Sequence, residues 1–300
     1  MKINPLHSAK PAISFEFFPP KTPQGEAALF RTLHELKPLK PAFVSITYGA
    51  GGSERSKTLD WAARIQHEVG LTAMAHLTCA GSTREELLAI LHQYRQIGVR
   101  SIMAVRGDPP QGMREFQAVA GGCRYASELI ALIRAEFGNA FVVAGGGYPE
   151  GHPEAASLEA DLQNLKKKVD AGLDFVVTQL FFNNALYFGF VERARRAGIE
   201  VPIIPGLMPI TDLGQIRRFM DMCGASIPGP LLSRLEKAQS PQEVLEIGVE
   251  HTTRQAQELL EAGVPGIHLY TLNKSPATRR VMQNLQVGSA SQVEGLRSRV

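Results

Sequence analysis

The sequence predicts one α/β domain, an eight-stranded parallel (β/α)8 barrel. Three observations predict it. Short apolar, β-rich runs recur eight times along the 300 residues. Helical patterns with apolar residues three or four apart lie between them. The first four runs also begin about 30 residues apart, the length of one βα unit.

The runs are ISFEFF (13–18), FVSITYG (43–49), TAMAHLTC (72–79), SIMAVRG (101–107), FVVAGGGY (141–148), FVVTQLFF (175–182), PIIPGLM (202–208) and GIHLYTL (266–272). Their near-continuous hydrophobicity suits strands buried on both faces. Helices are expected over 24–37, 58–69, 84–97, 127–137 and 154–171. The long gap before the eighth run holds IPGPLLSRLEKA and a further helical pattern over 241–262. No linker divides the chain, so residues 1–300 read as a single barrel domain whose last dozen residues, largely polar, are expected to fray.

Composition sets bounds on function. Hydrophobic residues make up 44% of the chain, charged residues 20%, and the formal charge is +3. No block of like charge reads as a nucleic-acid arm, and the run Lys166, Lys167, Lys168 suits a solvated helix face. No apolar stretch reaches the ~20 residues that cross a membrane. Cys79, Cys123 and Cys223 are odd in number and far apart, which argues for a reducing, cytoplasmic setting. Neither HExxH nor a His/Cys cluster occurs, so no metal site is expected. GAGG (49–52) and GGG (145–147) form no GxGxxG or Walker motif.

In a β/α barrel, side chains at the C-terminal strand ends converge on one site. The predicted ends offer Glu16, Thr47, Tyr48, His76, Arg106, Asp108, Tyr148, His152, Gln179, Tyr270, Asn273 and Lys274. Glu16 lies among Phe15, Phe17 and Phe18, a setting expected to raise its pKa and suit a general acid. A strand-end glutamate paired with an arginine is an equal alternative. Arg106 and Asp108 read as an anion ligand with its neighbour, or as a mutual ion pair. Asp161, Asn164 and Lys168 share one helix face, either lining a groove or facing solvent. Phe219, in a stripe with Ile216, Met220 and Cys223, reads as core.

Taken together, SFEFFPP, FVSITYGAGG, HLTC, RGDPP, YPEGHPEA, DLQNLKKKVDAG, TQLFF, PGLMP and YTLN resemble methylenetetrahydrofolate reductase of the bacterial type, in order and from about residue 14 to 274. The resemblance implies a barrel that binds FAD without covalent attachment. It implies ping-pong reduction of 5,10-methylenetetrahydrofolate to 5-methyltetrahydrofolate with NADH or NADPH, in one-carbon metabolism and methionine biosynthesis. It also implies a homo-oligomer with small-molecule substrates only.

By resemblance, Glu16 is the general acid, Asp108 binds the pterin and tunes the flavin, and Gln179 contacts both substrates. Phe219 packs on bound substrate, and Tyr270 and Lys274 face the folate. Flavin contacts are implied for Thr47, Tyr48, Ala50, His76, Arg106, Gly107, Asp108, Tyr125, Ala126, Tyr148, His152, Ala155, Asp161, Asn164, Lys167 and Lys168. Among these, Asp161 suits the ribose and Lys168 the pyrophosphate.

Three departures stand out. Lys274 replaces the family's arginine, so a folate carboxylate loses a bidentate partner. The 107–127 segment is longer than the common bacterial loop, and Asn183 stands where an aspartate is familiar. Two rival readings remain. One is a proline dehydrogenase-like flavin barrel using Arg279 and Arg280. The other is a folate- or flavin-binding module that takes electrons from a partner protein.

Overall fold

The computed structural model describes residues 11–47, 55–107 and 118–285. The strands are β1 (Ala12–Phe17), β2 (Phe43–Ile46), β3 (Ala73–Thr78), β4 (Ser101–Val105), β5 (Val142–Gly147), β6 (Phe175–Thr178), β7 (Ile203–Ile204), β8 (Gly206–Leu207) and β9 (Gly266–Tyr270). All pairings are parallel, in the order β7-β6-β5-β4-β3-β2-β1-β9-β8.

The sheet has nine strands where eight were expected because the seventh run is split at Pro205. Proline has no N–H to donate to a ladder. The residues before it pair with β6 and those after it with β9, so one stretch of chain closes the ring. Other bonds carry the seam. The Pro205 carbonyl accepts from His268 N at 3.0 Å, Gly206 N donates to Thr178 Oγ1 at 2.9 Å, and the Tyr270 hydroxyl donates to the Thr178 carbonyl at 2.7 Å.

Around the barrel lie α1 (Pro23–Leu36), α2 (Arg55–Arg64), α3 (Arg84–Gln96), α4 (Ala126–Phe137), α5 (Leu158–Asp170), α6 (Asn184–Arg196), α7 (Leu213–Cys223), α8 (Gly229–Lys237) and α9 (Pro241–Glu261). Several begin at a side-chain cap, as sequence rules require. Thr83 and Glu86 form a reciprocal capping box on α3, and Ser240 caps α9. The expected helix over 154–171 begins only at Leu158, because Ser157 adopts an extended backbone and accepts from Ala160 N. His152 and Ala155 therefore sit in the loop before it.

Alternation along the strands divides the core into two layers. Phe15, Phe17, Val44, Ile46, Ala75 and Leu77 point outward and pack with the helices. Phe43, Met74, Met103, Ala144, Phe175, Val177 and Ile204 form a separate cluster inside the barrel. At their C-terminal ends the regular strands stop at Ile46, Val105 and Thr178, and single backbone bonds carry on toward the mouth: Thr47 N–H donates to the Phe17 carbonyl, Ala80 N–H to that of Arg106 and Gln179 N–H to that of Gly147.

Helix α9 packs tightly beneath the loop after β8. A Cβ at Gly248 would lie 1.9 Å from the Ile210 carbonyl oxygen, a distance at which backbone must move. Glycine costs a helix interior about 1 kcal/mol relative to alanine, so close approach is what this position requires. Gly248→Ala is expected to destabilise by at least about 2 kcal/mol in urea unfolding despite its better helix propensity. A neutral or stabilising result would show that the loop yields freely.

Candidate active site

Glu16 lies on β1, in register with Ser45 of β2 and Tyr270 of β9. Period-two alternation sends Phe15 and Phe17 out to the helix layer and turns Ser14 and Glu16 into the barrel. The aromatic setting expected for Glu16 is therefore not its environment. Its carboxylate is 7% exposed and accepts from Ser45 Oγ at 3.1 Å. It also lies 3.2 Å from His76 Nε2 and 3.3 Å from His268 Nε2.

This corrects the expected direction of the Glu16 pKa. Burial by itself pushes the carboxyl up, but His76 and His268 together outweigh it and hold it far below the usual carboxylate range. Glu16 is thus ionised in the ligand-free site. His268 continues the chain inward: Ser14 Oγ lies 2.8 Å from its Nδ1. A neutral ring donating from Nε2 to Glu16 accepts from Ser14 at Nδ1, which satisfies both ring nitrogens. Phe43 stacks on the His268 ring, with centroids 5.8 Å apart, and Tyr270 meets its edge at 5.3 Å.

Two sequence motifs far apart in the chain join here. Asn273 Oδ1 accepts from Phe18 N and Asn273 Nδ2 donates to Phe18 O, each at 2.8 Å. Thr271 Oγ1 donates to the Glu16 carbonyl at 2.7 Å. Leu272 and Asn273 take left-handed backbone, φ 52° and 58°, to allow this. YTLN thereby fastens the end of β9 to SFEFF and fixes Glu16 from behind.

A second group gathers at the ends of β4 and β5 and on α5. The Lys168 ammonium is hydrogen-bonded to the Gly146 carbonyl and lies 5.9 Å from the Tyr148 ring centroid. Burial pushes its pKa down to about 8, against the pull of Asp161. Burial likewise raises the Asp161 carboxyl, against Lys168 and His152, and lowers His152. Tyr148 and His152 meet edge to face at 4.7 Å. Arg106 is held by Glu154 through two N–H···O bonds of 2.5 and 2.8 Å. Gly107 takes φ 90°, and a Cβ there would lie 2.9 Å from Ala80, so glycine is required beside Arg106.

The expected helical stripe divides. Asp161 is buried and Lys168 partly so, whereas Asn164 is exposed and accepts from Lys167 Nζ at 3.3 Å. Leu158, the first residue of α5, is 48% exposed. Gln179 follows β6 at the mouth, with its Oε1 accepting from Leu180 N. Thr47 follows β2, its N–H bonded to the Phe17 carbonyl. Tyr125, 50% exposed, and Ala126 open α4. Ala155 N bonds the His152 carbonyl. Phe219 is partly buried and packs, with Cys223, against the cluster that holds Ile216. Tyr270 and Lys274 line a cavity of about 280 Å³ together with Leu245 and Gln242 of α9. Tyr48, Ala50, Asp108 and the last dozen residues lie outside the described residues.

Asn183 caps α6 by accepting from Ala185 N at 3.0 Å, a task aspartate performs equally well. Arg280 is engaged by Glu246 of α9, which leaves the expected substrate-binding arginine pair incomplete. Sequence reasoning missed Ser14, Ser45, His268 and Glu154. For Ser14 and His268 the signal was present: alternation in ISFEFF and GIHLY puts Ser14 with Glu16 and His268 with Tyr270 on one face.

Residues 2–286 match the family profile described as methylenetetrahydrofolate reductase. The chain belongs to this family. It is 39% identical over 276 residues to the 5,10-methylenetetrahydrofolate reductase of Salmonella typhimurium, covering 92% of this chain and 90% of that protein. It is 38% identical over 292 residues to methylenetetrahydrofolate reductase (NADH) 1 of Arabidopsis thaliana, covering 94% of this chain. The chain spans about half the length of that plant relative, 49% of it. Among solved structures, an uncharacterized Clostridium thermocellum protein described as binding two copies of 5-methyl-5,6,7,8-tetrahydrofolic acid has the same fold. It superposes with a TM-score of 0.64 at 15% identity, over 94% of this chain and 96% of that one.

Lys168 gives a stability prediction with a definite sign. Its folded pKa, about 8, lies below the value of about 10.4 expected in the unfolded chain. Between those values the unfolded state binds more protons, so the burial penalty, full below pH 8, is relieved as pH rises. Lys168→Met is expected to raise the urea midpoint at pH 7, with the advantage shrinking toward pH 10. An advantage that does not change with pH would show that the lysine is not desolvated.

Proposed function

We propose that this chain catalyses reduction of 5,10-methylenetetrahydrofolate to 5-methyltetrahydrofolate with non-covalently bound FAD and NADH, NADPH being the alternative reductant. The observation that carries the reading is the buried Glu16 carboxylate at the mouth of a family barrel, held by His76, His268 and Ser45, with Ser14 behind His268. A carboxylate so placed, with donors on several sides, suits proton handling at a ring nitrogen. The family's relatives carry the name of the reaction, and the plant relative names NADH.

The residues present fit a dinucleotide. Lys168 is a partly buried cation with a lowered pKa, whose carboxylate neighbour Asp161 is itself desolvated. A diphosphate supplies the negative charge that this ammonium lacks, and Asp161 can accept from a ribose hydroxyl. Arg106 adds a second cation, while His152 and Tyr148 supply ring faces. Thr47, His76, Gly107, Tyr125, Ala126, Ala155, Asn164 and Lys167 complete the assignment, with Tyr48, Ala50 and Asp108. FAD held there would supply the hydride chemistry between the nicotinamide and the folate, in the ping-pong order the family reading assigns.

Glu16 cannot act as an acid in the ionised state it holds in the open site. Proton donation therefore requires that bound folate weaken the hold of His76 and His268 on the carboxylate, the interactions that keep it charged. His268 Nε2 lies within hydrogen-bond reach of Glu16 Oε2 and Ser14 holds the far side of that imidazole, so the ring orients the carboxyl, whose proton comes from solvent before the folate covers it. The proton then goes to the pterin nitrogen as the methylene bridge opens, leaving the carbon electrophilic. Gln179 and Phe219 are assigned to the substrates in turn, and Asp108 to the pterin. Tyr270 and Lys274 lie beside a cavity suited to the folate's acidic tail, where Lys274 provides charge without a bidentate grip. The assembly is assigned as a cytoplasmic homo-oligomer acting on small molecules.

Anaerobic titration with NADH tests the reading. The flavin band is expected to bleach, and methylenetetrahydrofolate to restore it. Flavin that NADH leaves oxidised would instead support electron delivery from a partner protein. A protein that takes up no FAD would refute the reading. Glu16→Gln is expected to keep flavin reduction by NADH while slowing folate reduction by about 10²-fold or more. A normal folate half-reaction in this variant would remove Glu16 from proton transfer.

A further inference from the structure

We propose that Glu154 is a positioning residue that orients the Arg106 guanidinium for the cofactor's diphosphate, an inference that rests on the flavin reading above. Glu154 lies in the loop before α5, and Arg106 directly follows β4, 48 residues earlier. The pair therefore ties together two neighbouring βα loops at the mouth.

The contact is fork on fork. Arg106 Nη1 donates to Oε2 at 2.5 Å and Nη2 to Oε1 at 2.8 Å, while Nε donates to the Gly107 carbonyl at 3.2 Å. A guanidinium carries five N–H donors in one plane. A carboxylate that grips one edge sets the plane, and so sets where the other donors point. Glu154 acts on a second flavin-assigned group as well, because its backbone N–H donates to His152 Nδ1 at 3.1 Å. One residue thus fixes the orientation of both an arginine and a histidine at the same corner of the mouth.

Global stability does not account for the pair. The Glu154 side chain is 55% exposed, and ion pairs at such sites contribute little to folding. Charge alone makes the opposite demand from positioning. A carboxylate beside a diphosphate repels it, so removing Glu154 would tighten cofactor binding if charge were all that mattered. If orientation matters more, removal weakens it.

The test uses the full chain freed of flavin and titrated with FAD, following quenching of flavin fluorescence. Glu154→Ala is expected to weaken FAD binding about tenfold or more, with Glu154→Gln intermediate because an amide oxygen still accepts from the fork. Thermal midpoints of the flavin-free variants should stay within a few degrees of the parent. Arg106→Ala should weaken binding too, and the double variant should bind no more weakly than Arg106→Ala alone, since Glu154 acts through Arg106. Unchanged or tighter binding in Glu154→Ala would overturn the proposal, as would losses that add in the double variant. Failure of the parent chain to bind FAD would overturn the flavin reading and this inference with it, a result distinct from any difference among the variants.

Discussion

A carboxylate inside a closed barrel must be compensated where it stands, and much of the mouth is arranged around that requirement. Glu16 is almost out of reach of water, so its charge persists only because Ser45, His76 and His268 surround it. Those partners come from β2, β3 and β9: Ser45 is in register with Glu16, while His268 is in register with Ser14 and His76 stands two residues beyond Met74, so both rings reach the carboxylate along the inward face. Loss of register by one residue would replace this polar centre with phenylalanine and leucine. The fastening of YTLN to the end of β1 and the hydrogen bonds around Pro205 hold that register where ordinary ladders are interrupted.

Two electrostatic centres of opposite character share the mouth. At the β1–β9 side, a carboxylate is stabilised in its charged form. At the β5–α5 side, a lysine is destabilised in its charged form, with its pKa pulled down to about 8. The first is complete within the protein; the second is not, and an anionic ligand would complete it. The contrast sets a compensated charge beside an uncompensated one within the same mouth. Membership of the methylenetetrahydrofolate reductase family then supplies the chemistry that such a pair of centres would serve.

The overturned expectation about Glu16 shows how neighbours in sequence mislead within a strand. Phe15, Phe17 and Phe18 flank it in the chain, yet Phe15 and Phe17 belong to the opposite face. Its actual neighbours are 29, 60 and 252 residues away. The helix over α5 teaches the same lesson in milder form. Periodicity placed Asp161, Asn164 and Lys168 together, but one helix face is wide enough for its edges to meet different surroundings, so Asn164 faces solvent while Asp161 is buried.

The sequence by itself determined the barrel, because eight apolar runs alternating with amphipathic helices leave few other ways to bury both faces of every strand. It also determined which residues stand at the strand ends, and through its ordered motifs the family. Tertiary structure decided the rest. Splitting of the seventh strand follows from which neighbours Pro205 meets on each side. The ionised state of Glu16 depends on histidines brought from β3 and β9, and the grip of Glu154 on Arg106 depends on two loops meeting. Each of these is a contact between segments far apart in the chain, and periodicity carries no information about such distances until the ring has closed.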